Sequence, residues 1–137
     1  MNIRMPDDLT KQLEIRGDTL SDGVREVAGR YLSILDVARR ELRDILTGPE
    51  LSLLTDIHNG TIWEPHTIDV IRWSAGDAEP SYFDRWEVDR AALLAKLGNL
   101  DIAQCAALVD AIERFWRAVS LDMRVDPASI LAESATP

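Results

Sequence analysis

Residues 17–32 read GDTLSDGVREVAGRYL, and this stretch predicts the start of a long helix in the front part of the chain. Thr19 is a good helix N-cap, and Asp22, three residues later, makes the pair resemble a capping box. No proline follows until Pro49, so the helix is predicted to run from about residue 20 to about residue 46.

An apolar seam follows this predicted helix in alternating steps of four and three residues. Such a heptad spacing is typical of a helix that packs lengthwise against another helix. Two interpretations stay open: the helix packs on the core of its own domain, or it pairs with a second copy of itself. The seam consists of Val24, Ala28, Tyr31, Leu35, Ala38, Leu42 and Ile45.

The residues before this helix predict a strand followed by a short helix. Residues 1–5 alternate, with Met1, Ile3 and Met5 on one face and Asn2 and Arg4 on the other. Pro6 ends the strand because it has no backbone N–H to donate. A short helix is predicted near residues 7–15, and Gly17 ends it. Its buried face is predicted to contain Leu9 and Leu13, with Ile15 as an open third member.

A single short strand needs a partner, because its backbone donors and acceptors are otherwise unpaired. Nothing else nearby in the sequence predicts a strand, so we expect a second copy of the chain to form an antiparallel two-stranded ribbon with it. Such a ribbon fits the DNA major groove, where Asn pairs with adenine edges and Arg pairs with guanine O6 and N7.

This order of elements resembles the ribbon-helix-helix superfamily of Arc, the methionine repressor and CopG. NIRMP, at residues 2–6, looks like the ribbon end of Arc-type proteins, and residues 17–32 are similar to the family's second-helix pattern. The resemblance covers about residues 1–35. It implies a homodimer, with higher oligomers on DNA as an open alternative, and double-stranded DNA as the partner.

The resemblance also implies roles for individual residues. Asn2 and Arg4 take the base-contacting positions. Thr19, Leu20 and Ser21 lie at the N-terminus of the second helix, which holds a DNA phosphate in the family, and Arg16 assists electrostatically. Free amides and a positive dipole end suit that role. The predicted dimer core consists of Ile3, Met5, Leu9, Leu13, Val24, Val27, Ala28 and Tyr31.

Two features depart from the family pattern. The family's ribbon presents three outward residues per strand, and here the first of them would precede Met1. Either base readout is reduced, or the true start lies upstream. The first helix is also about one turn shorter than usual, which changes how a ribbon sits on the helices.

The net charge of −9 is unevenly distributed. Residues 1–46 carry eight Lys or Arg and nine Asp or Glu, a net charge of −1. Residues 47–137 carry seven Lys or Arg and fifteen Asp or Glu, a net charge of −8.

The predicted fold class is mostly α, with a ribbon-helix-helix dimerisation and DNA-binding domain at 1–46. An acidic all-helical module at 47–123 follows, and then a flexible tail at 124–137.

Recognisable catalytic and metal-binding patterns are missing from the sequence, so we expect no enzyme, no cofactor and no metal. His58 and His66 form no zinc pattern with the single cysteine, Cys105, which is predicted to pack on the apolar face of a helix. No apolar run reaches the roughly 20 residues that a membrane helix needs, and no secretory leader is evident. The lone cysteine fits a cytoplasmic protein.

The sequence therefore predicts a sequence-specific transcriptional regulator, most simply a repressor or autorepressor of bacterial type. One alternative is an antitoxin-like autoregulator whose acidic module, residues 47–123, binds a protein partner. Another alternative is a dimeric interaction protein that binds no DNA. An exposed tryptophan in the acidic module would indicate a partner surface there.

Overall fold

The computed structural model describes residues 7–15, 17, 19–58 and 67–131, with Asp7 described in its backbone alone. These residues form seven α-helices and a short 3-10 turn at Pro127–Ser129. None of the described helices is both long enough and apolar enough to cross a membrane. The helices are α1 (Asp7–Ile15), α2 (Leu20–Ile45), α3 (Gly48–Ile57), α4 (Ile68–Asp77), α5 (Pro80–Trp86), α6 (Arg90–Gly98) and α7 (Ile102–Ser120).

The predicted fold class is wrong in its β-ribbon. The structure is all-helical, and the described residues contain no strand and no sheet. The residues assigned to the ribbon, 1–5, lie outside the described part of the chain. The prediction depended on a second chain to pair the strand, whereas the described helices form their backbone hydrogen bonds within the chain, except in their first and last turns.

The two helices predicted after the ribbon are confirmed. α1 and α2 begin and end within one residue of the predicted positions, at Asp7–Ile15 and Leu20–Ile45. The chain divides into two compact units, residues 1–34 and 35–137, and the division falls inside α2. The first unit therefore contains α1 and the first turns of α2, and the second contains the rest of the chain.

The second unit has a continuous apolar core. Leu35, Ala38 and Leu42 of α2 are almost fully buried in it, together with side chains from every later helix. Burial of each such leucine or isoleucine contributes about 1.5–3 kcal/mol. The most completely buried members from the later helices are Leu53, Leu54, Ile71, Leu93, Leu97, Leu108 and Ile112.

Helix caps fix where the elements of this unit begin. In the sequence, the three-residue spacing of Asp101 and Gln104 predicts a capping box, and it is confirmed at α7, where both reciprocal hydrogen bonds are present. A second capping box, Thr47 with Glu50, opens α3 and was not predicted from the sequence. Each such cap stabilises its helix by about 1 kcal/mol.

Long polar side chains tie the helices of this unit together. The Lys96 ammonium lies 2.7 Å from the buried Glu50 carboxylate. The Arg72 guanidinium donates twice to the Leu97 carbonyl oxygen, at 3.1 and 2.8 Å. These links join α3 to α6 and α4 to the end of α6.

The structure differs from the sequence prediction in two further segments. The aromatic and charged residues 81–89 predict a loop or a single turn, whereas most of them lie in the helix α5 (Pro80–Trp86). Within 124–137, expected to be a flexible tail, a 3-10 turn forms at Pro127–Ser129 and the Leu131 side chain is buried in the core.

Candidate functional site

The first unit is a helical hairpin, formed by α1 and residues 20–34 of α2, held by a close backbone contact. A Cβ added at Gly23 would lie 1.8 Å from the Leu13 carbonyl oxygen, so α2 approaches α1 as only glycine permits. Gly17 is similarly restricted, because its added Cβ would lie 2.5 Å from the Gly23 nitrogen. The sequence places glycine where the two helices touch.

The hairpin leaves an apolar groove open on its surface, which we call the hairpin groove. Its volume is about 330 Å³. Apart from Gln12 and Arg30, its walls are apolar side chains, and Arg30 is already paired with Glu26 at 2.6 Å. The groove is lined by Leu9, Gln12, Leu13, Val27, Arg30, Tyr31 and Ile34.

The heptad seam of α2 is covered along only part of its length. Leu35, Ala38 and Leu42 are buried in the core of the second unit, whereas Val24 and Tyr31 are 42% and 51% exposed. The interpretation of the seam as a helix packed on its own domain is therefore confirmed for its second half. The first half is exposed among the residues that the structure describes.

The N-terminus of α2 has the geometry of a capped helix start. The Thr19 hydroxyl accepts a hydrogen bond from the Asp22 amide at 3.1 Å, which is half of the predicted capping box. The amides of Leu20 and Ser21, in the first helical turn, have no intrahelical acceptor. Thr19 and Ser21 are exposed, so an anion can reach this turn, although Asp22 places a carboxylate beside it.

The structure describes most, but not all, of the residues predicted to form the site. Of the predicted dimer core, Leu13 is buried, Val27 is half-buried, and Leu9, Val24, Ala28 and Tyr31 are exposed. Thr19, Leu20 and Ser21 lie together at the start of α2. The predicted DNA-contacting residues Asn2, Arg4 and Arg16, and the predicted core residues Ile3 and Met5, lie outside the described residues.

A second groove, which we call the α7 groove, lies in the second unit. After α7 the chain reverses direction at Asp122, whose φ of 58° lies in the left-handed region. The Met123 amide donates to the Ala118 carbonyl oxygen at 3.0 Å, and the following residues run back beside the helix. The groove between them has a volume of about 580 Å³.

The α7 groove combines apolar walls with two guanidinium groups. Phe115, Leu121 and Met123 supply apolar surface, and Arg114 and Arg117 lie one helical turn apart among them. The Arg114 guanidinium is 3.6 Å from the Asp110 carboxylate, which is also 3.6 Å from the buried Arg39 guanidinium. The Arg39 guanidinium is also paired with the Asp36 carboxylate at 3.1 Å, so two carboxylates face the two cations.

Sequence reasoning missed several residues that line these grooves. Gln12, Arg30 and Ile34 of the hairpin groove were not predicted, although Ile34 lies one heptad beyond the predicted core residue Val27. In the α7 groove, Val125 and Ile130 fall in the segment that was predicted to be a tail. No periodic pattern marks that segment, so the sequence offered no signal for it.

The residues with the most reactive side chains form no catalytic cluster in the described part of the chain. Cys105 is half-buried, and burial raises the pKa of its thiol, with the nearby Arg72 guanidinium opposing the shift. His58 is buried at the end of α3, and His66 lies outside the described residues. Within 7–15, 17, 19–58 and 67–131, no three His, Cys, Asp or Glu side chains are grouped to hold a metal ion.

No protein-family model, no curated protein and no solved structure matches this chain.

Proposed function

We propose that this chain is a homodimeric DNA-binding transcriptional regulator whose hairpin, residues 7–34, forms the dimer. The observation that carries the proposal is the exposed apolar surface of the hairpin groove and of the first half of the α2 seam. Exposed apolar surface of this kind marks an interaction site. The DNA-binding part rests on the resemblance of residues 1–35 to ribbon-helix-helix proteins, without a ribbon assigned to residues 1–5.

Physical arguments favour a second copy of the chain as the occupant of the hairpin groove. α1 has nine residues, which is shorter than the roughly 12–15 that an isolated helix needs to be even marginally stable. Leu13 is the one buried large apolar side chain among the described residues of the hairpin. Pairing two identical apolar surfaces about a two-fold axis would cover Leu9, Tyr31 and Ile34 of both copies.

The charges of the hairpin are compatible with such pairing. Arg30 is the one cation lining the groove, and the Glu26 carboxylate on the preceding helical turn neutralises it. An interface that buries this pair therefore leaves no unpaired charge, which would otherwise oppose association.

The placement of α1 and α2 supports the DNA-binding part of the proposal. A short helix, a turn at Gly17 and a long helix capped by Thr19 follow each other as in the family pattern. The free amides of Leu20 and Ser21 suit a phosphate oxygen. The front of the chain, residues 1–46, has a net charge of only −1, so it repels DNA phosphates far less than the acidic residues 47–137 do.

The dimer is tested by sedimentation equilibrium of the full-length chain and two variants of α2. Tyr31→Glu places a charge in the hairpin groove and is expected to give a monomer. Ser33→Glu places the same charge on an exposed position away from the seam and is expected to leave the dimer intact. A monomeric wild-type chain would refute the dimer, and a Tyr31→Glu variant as dimeric as Ser33→Glu would refute the hairpin groove as its interface.

DNA reading is tested separately, by selection from a random duplex library at moderate salt. The wild type is expected to enrich an inverted or tandem repeat, and Arg4→Ala is expected to lose that enrichment while remaining dimeric. A loss of about 1–3 kcal/mol per contact corresponds to a weakening of affinity by roughly fivefold to somewhat over a hundredfold. A dimeric wild type that enriches no sequence would refute DNA reading and leave the dimer standing.

A dimeric protein-interaction role is the second candidate, and one observation favours it. Trp73 of α4 is 70% exposed, as expected for a tryptophan in a partner surface. Trp73→Ala is expected to weaken retention of a specific protein partner without altering the melting temperature, because the side chain contributes little to the core. Co-purification of one defined protein by wild type, and not by Trp73→Ala, would support this candidate. Equal recovery of that protein by wild type and by Trp73→Ala would exclude Trp73 from the partner surface.

A further inference from the structure

The tryptophans that the structure describes are used in different ways. Trp86 packs against the core and donates its indole N–H to the Asp56 carboxylate at 3.2 Å. Trp116 also packs there and donates to the Thr55 carbonyl oxygen at 3.2 Å. Trp73 of α4 is 70% exposed, and its N–H has no acceptor among the described residues. The stability of the fold therefore does not explain this tryptophan, whereas a partner surface does.

Trp73 lies on an exposed side of α4, which we call the α4 face. Asp69 precedes Trp73 by four residues and Asp77 follows it by four, so the three side chains are stacked one helical turn apart. Val70, three residues before Trp73, lies on the same side. All four residues are exposed, whereas Ile71 on the opposite side of the helix is fully buried. The α4 face is thus an uncovered aromatic ring with a carboxylate one turn away in each direction.

The chain around the α4 face is negatively charged. Residues 67–90 contain six Asp or Glu and three Arg, a net charge of −3. Asp69 is partly neutralised by Arg72, whose guanidinium lies 3.9 Å away and donates twice to a backbone carbonyl oxygen of α6. Asp77 forms no ion pair with any described residue, although Arg90 donates to the carbonyl oxygens on either side of it. The third arginine of the range pairs with a carboxylate of α3.

We infer that the α4 face docks a basic segment of a partner protein, with an Arg or Lys side chain of that segment over the Trp73 ring. The negative face of an indole attracts a cation more strongly than other aromatic rings do. Val70 offers apolar contact to the aliphatic stem of the same side chain. Asp77, and the net charge of −8 of residues 47–137, attract a positive partner and repel nucleic acid and acidic proteins. This inference rests on the second candidate function, protein interaction through Trp73, and specifies the chemistry of that partner.

The inference is tested by selection from a phage-displayed library of random peptides at moderate salt, with the full-length chain as bait. The wild type is expected to enrich peptides rich in Arg and Lys. The most enriched peptide is then synthesised with a fluorescent label and titrated with wild type and three variants. Trp73→Ala is expected to weaken its binding about tenfold and Asp77→Asn about threefold. Glu14→Gln removes the same charge as Asp77→Asn from an exposed hairpin position and is expected to leave the affinity unchanged.

Each other outcome overturns the inference. Basic peptides that bind wild type and Trp73→Ala equally would mean that the general acidity of the chain attracts them, and equal losses in Asp77→Asn and Glu14→Gln would mean the same. Enriched peptides without Arg or Lys, bound through Trp73, would refute the basic partner and leave protein interaction through Trp73 standing. No enriched peptide would also refute the basic segment, while the co-purification experiment would still decide the second candidate function. Trp73 and Asp77 are both exposed, so their variants are expected to fold with an unchanged melting temperature.

Discussion

Replacing Gly23 by alanine should destabilise the hairpin, although alanine is the better helix former. The added Cβ would lie 1.8 Å from the Leu13 carbonyl oxygen, whereas real Cβ atoms essentially never lie closer than 3.0 Å to such an atom. The two helices must therefore separate by about 1.2 Å. The obstructing atom belongs to the backbone, so no side chain can rotate away. Overpacking costs about 1–3 kcal/mol, and partial loss of Leu13 burial adds to it. The higher helix propensity of alanine stabilises the helix by about 1 kcal/mol. The free energy of unfolding should therefore fall by about 2 kcal/mol in total.

Gly29 provides the matched control in the same helix. A Cβ at Gly29 meets nothing within 4 Å, so Gly29→Ala should gain about 0.5–1 kcal/mol from helix propensity alone. Urea denaturation of both variants, followed by far-ultraviolet circular dichroism at matched protein concentrations, measures the difference. Gly23→Ala is expected to unfold at lower urea than wild type, and Gly29→Ala at higher urea. A Gly23→Ala variant as stable as Gly29→Ala would show that the helices do not approach each other at this residue.

Two further predictions concern the second unit. Lys96→Met removes the ammonium that lies 2.7 Å from the buried Glu50 carboxylate. This variant should lower the free energy of unfolding by about 1–2 kcal/mol. Breaking a fully buried ion pair costs more, but Lys96 is partly exposed. Lys96→Met combined with Glu50→Gln should recover part of that loss in a double-mutant cycle, and strictly additive losses would mean that the pair is not coupled. Burial raises the pKa of the Cys105 thiol, so less reactive thiolate exists at a given pH, and alkylation by iodoacetamide should accelerate at a higher pH in the folded chain than in the urea-unfolded chain. Coincident pH profiles would contradict this.

The sequence predicted helices wherever local chemistry defines them. Thr19 with Asp22 and Asp101 with Gln104 mark the first turns of α2 and α7, and the structure contains side-chain caps at both positions. The seven-residue α5 was missed because so short a helix shows too little periodicity to separate it from a loop. The ribbon was predicted from alternation in five residues, a pattern that needs a second chain before it has any stability.

The candidate sites were less predictable, because they depend on which surfaces remain uncovered. The seam of α2 has the same spacing before and after residue 34, yet Tyr31 is exposed and Leu35 is buried. Spacing defines a stripe on a helix but carries no information about what covers it. The α7 groove depends on a chain reversal at Asp122, and an aspartate in the left-handed conformation has no distinctive sequence signal in an acidic chain.

The two units differ in the source of their stability, and this difference connects their architecture to the proposed function. The second unit buries its own leucines and ties its helices by Lys96 to Glu50 and by Arg72 to Leu97. The described part of the hairpin buries Leu13 and leaves Leu9 and Tyr31 exposed. Ordering each residue of such a hairpin costs about 1–2 kcal/mol of backbone entropy, which one buried leucine cannot offset. We propose that contacts through the exposed apolar face supply further stabilisation, and that a second copy of the chain makes them in the hairpin groove.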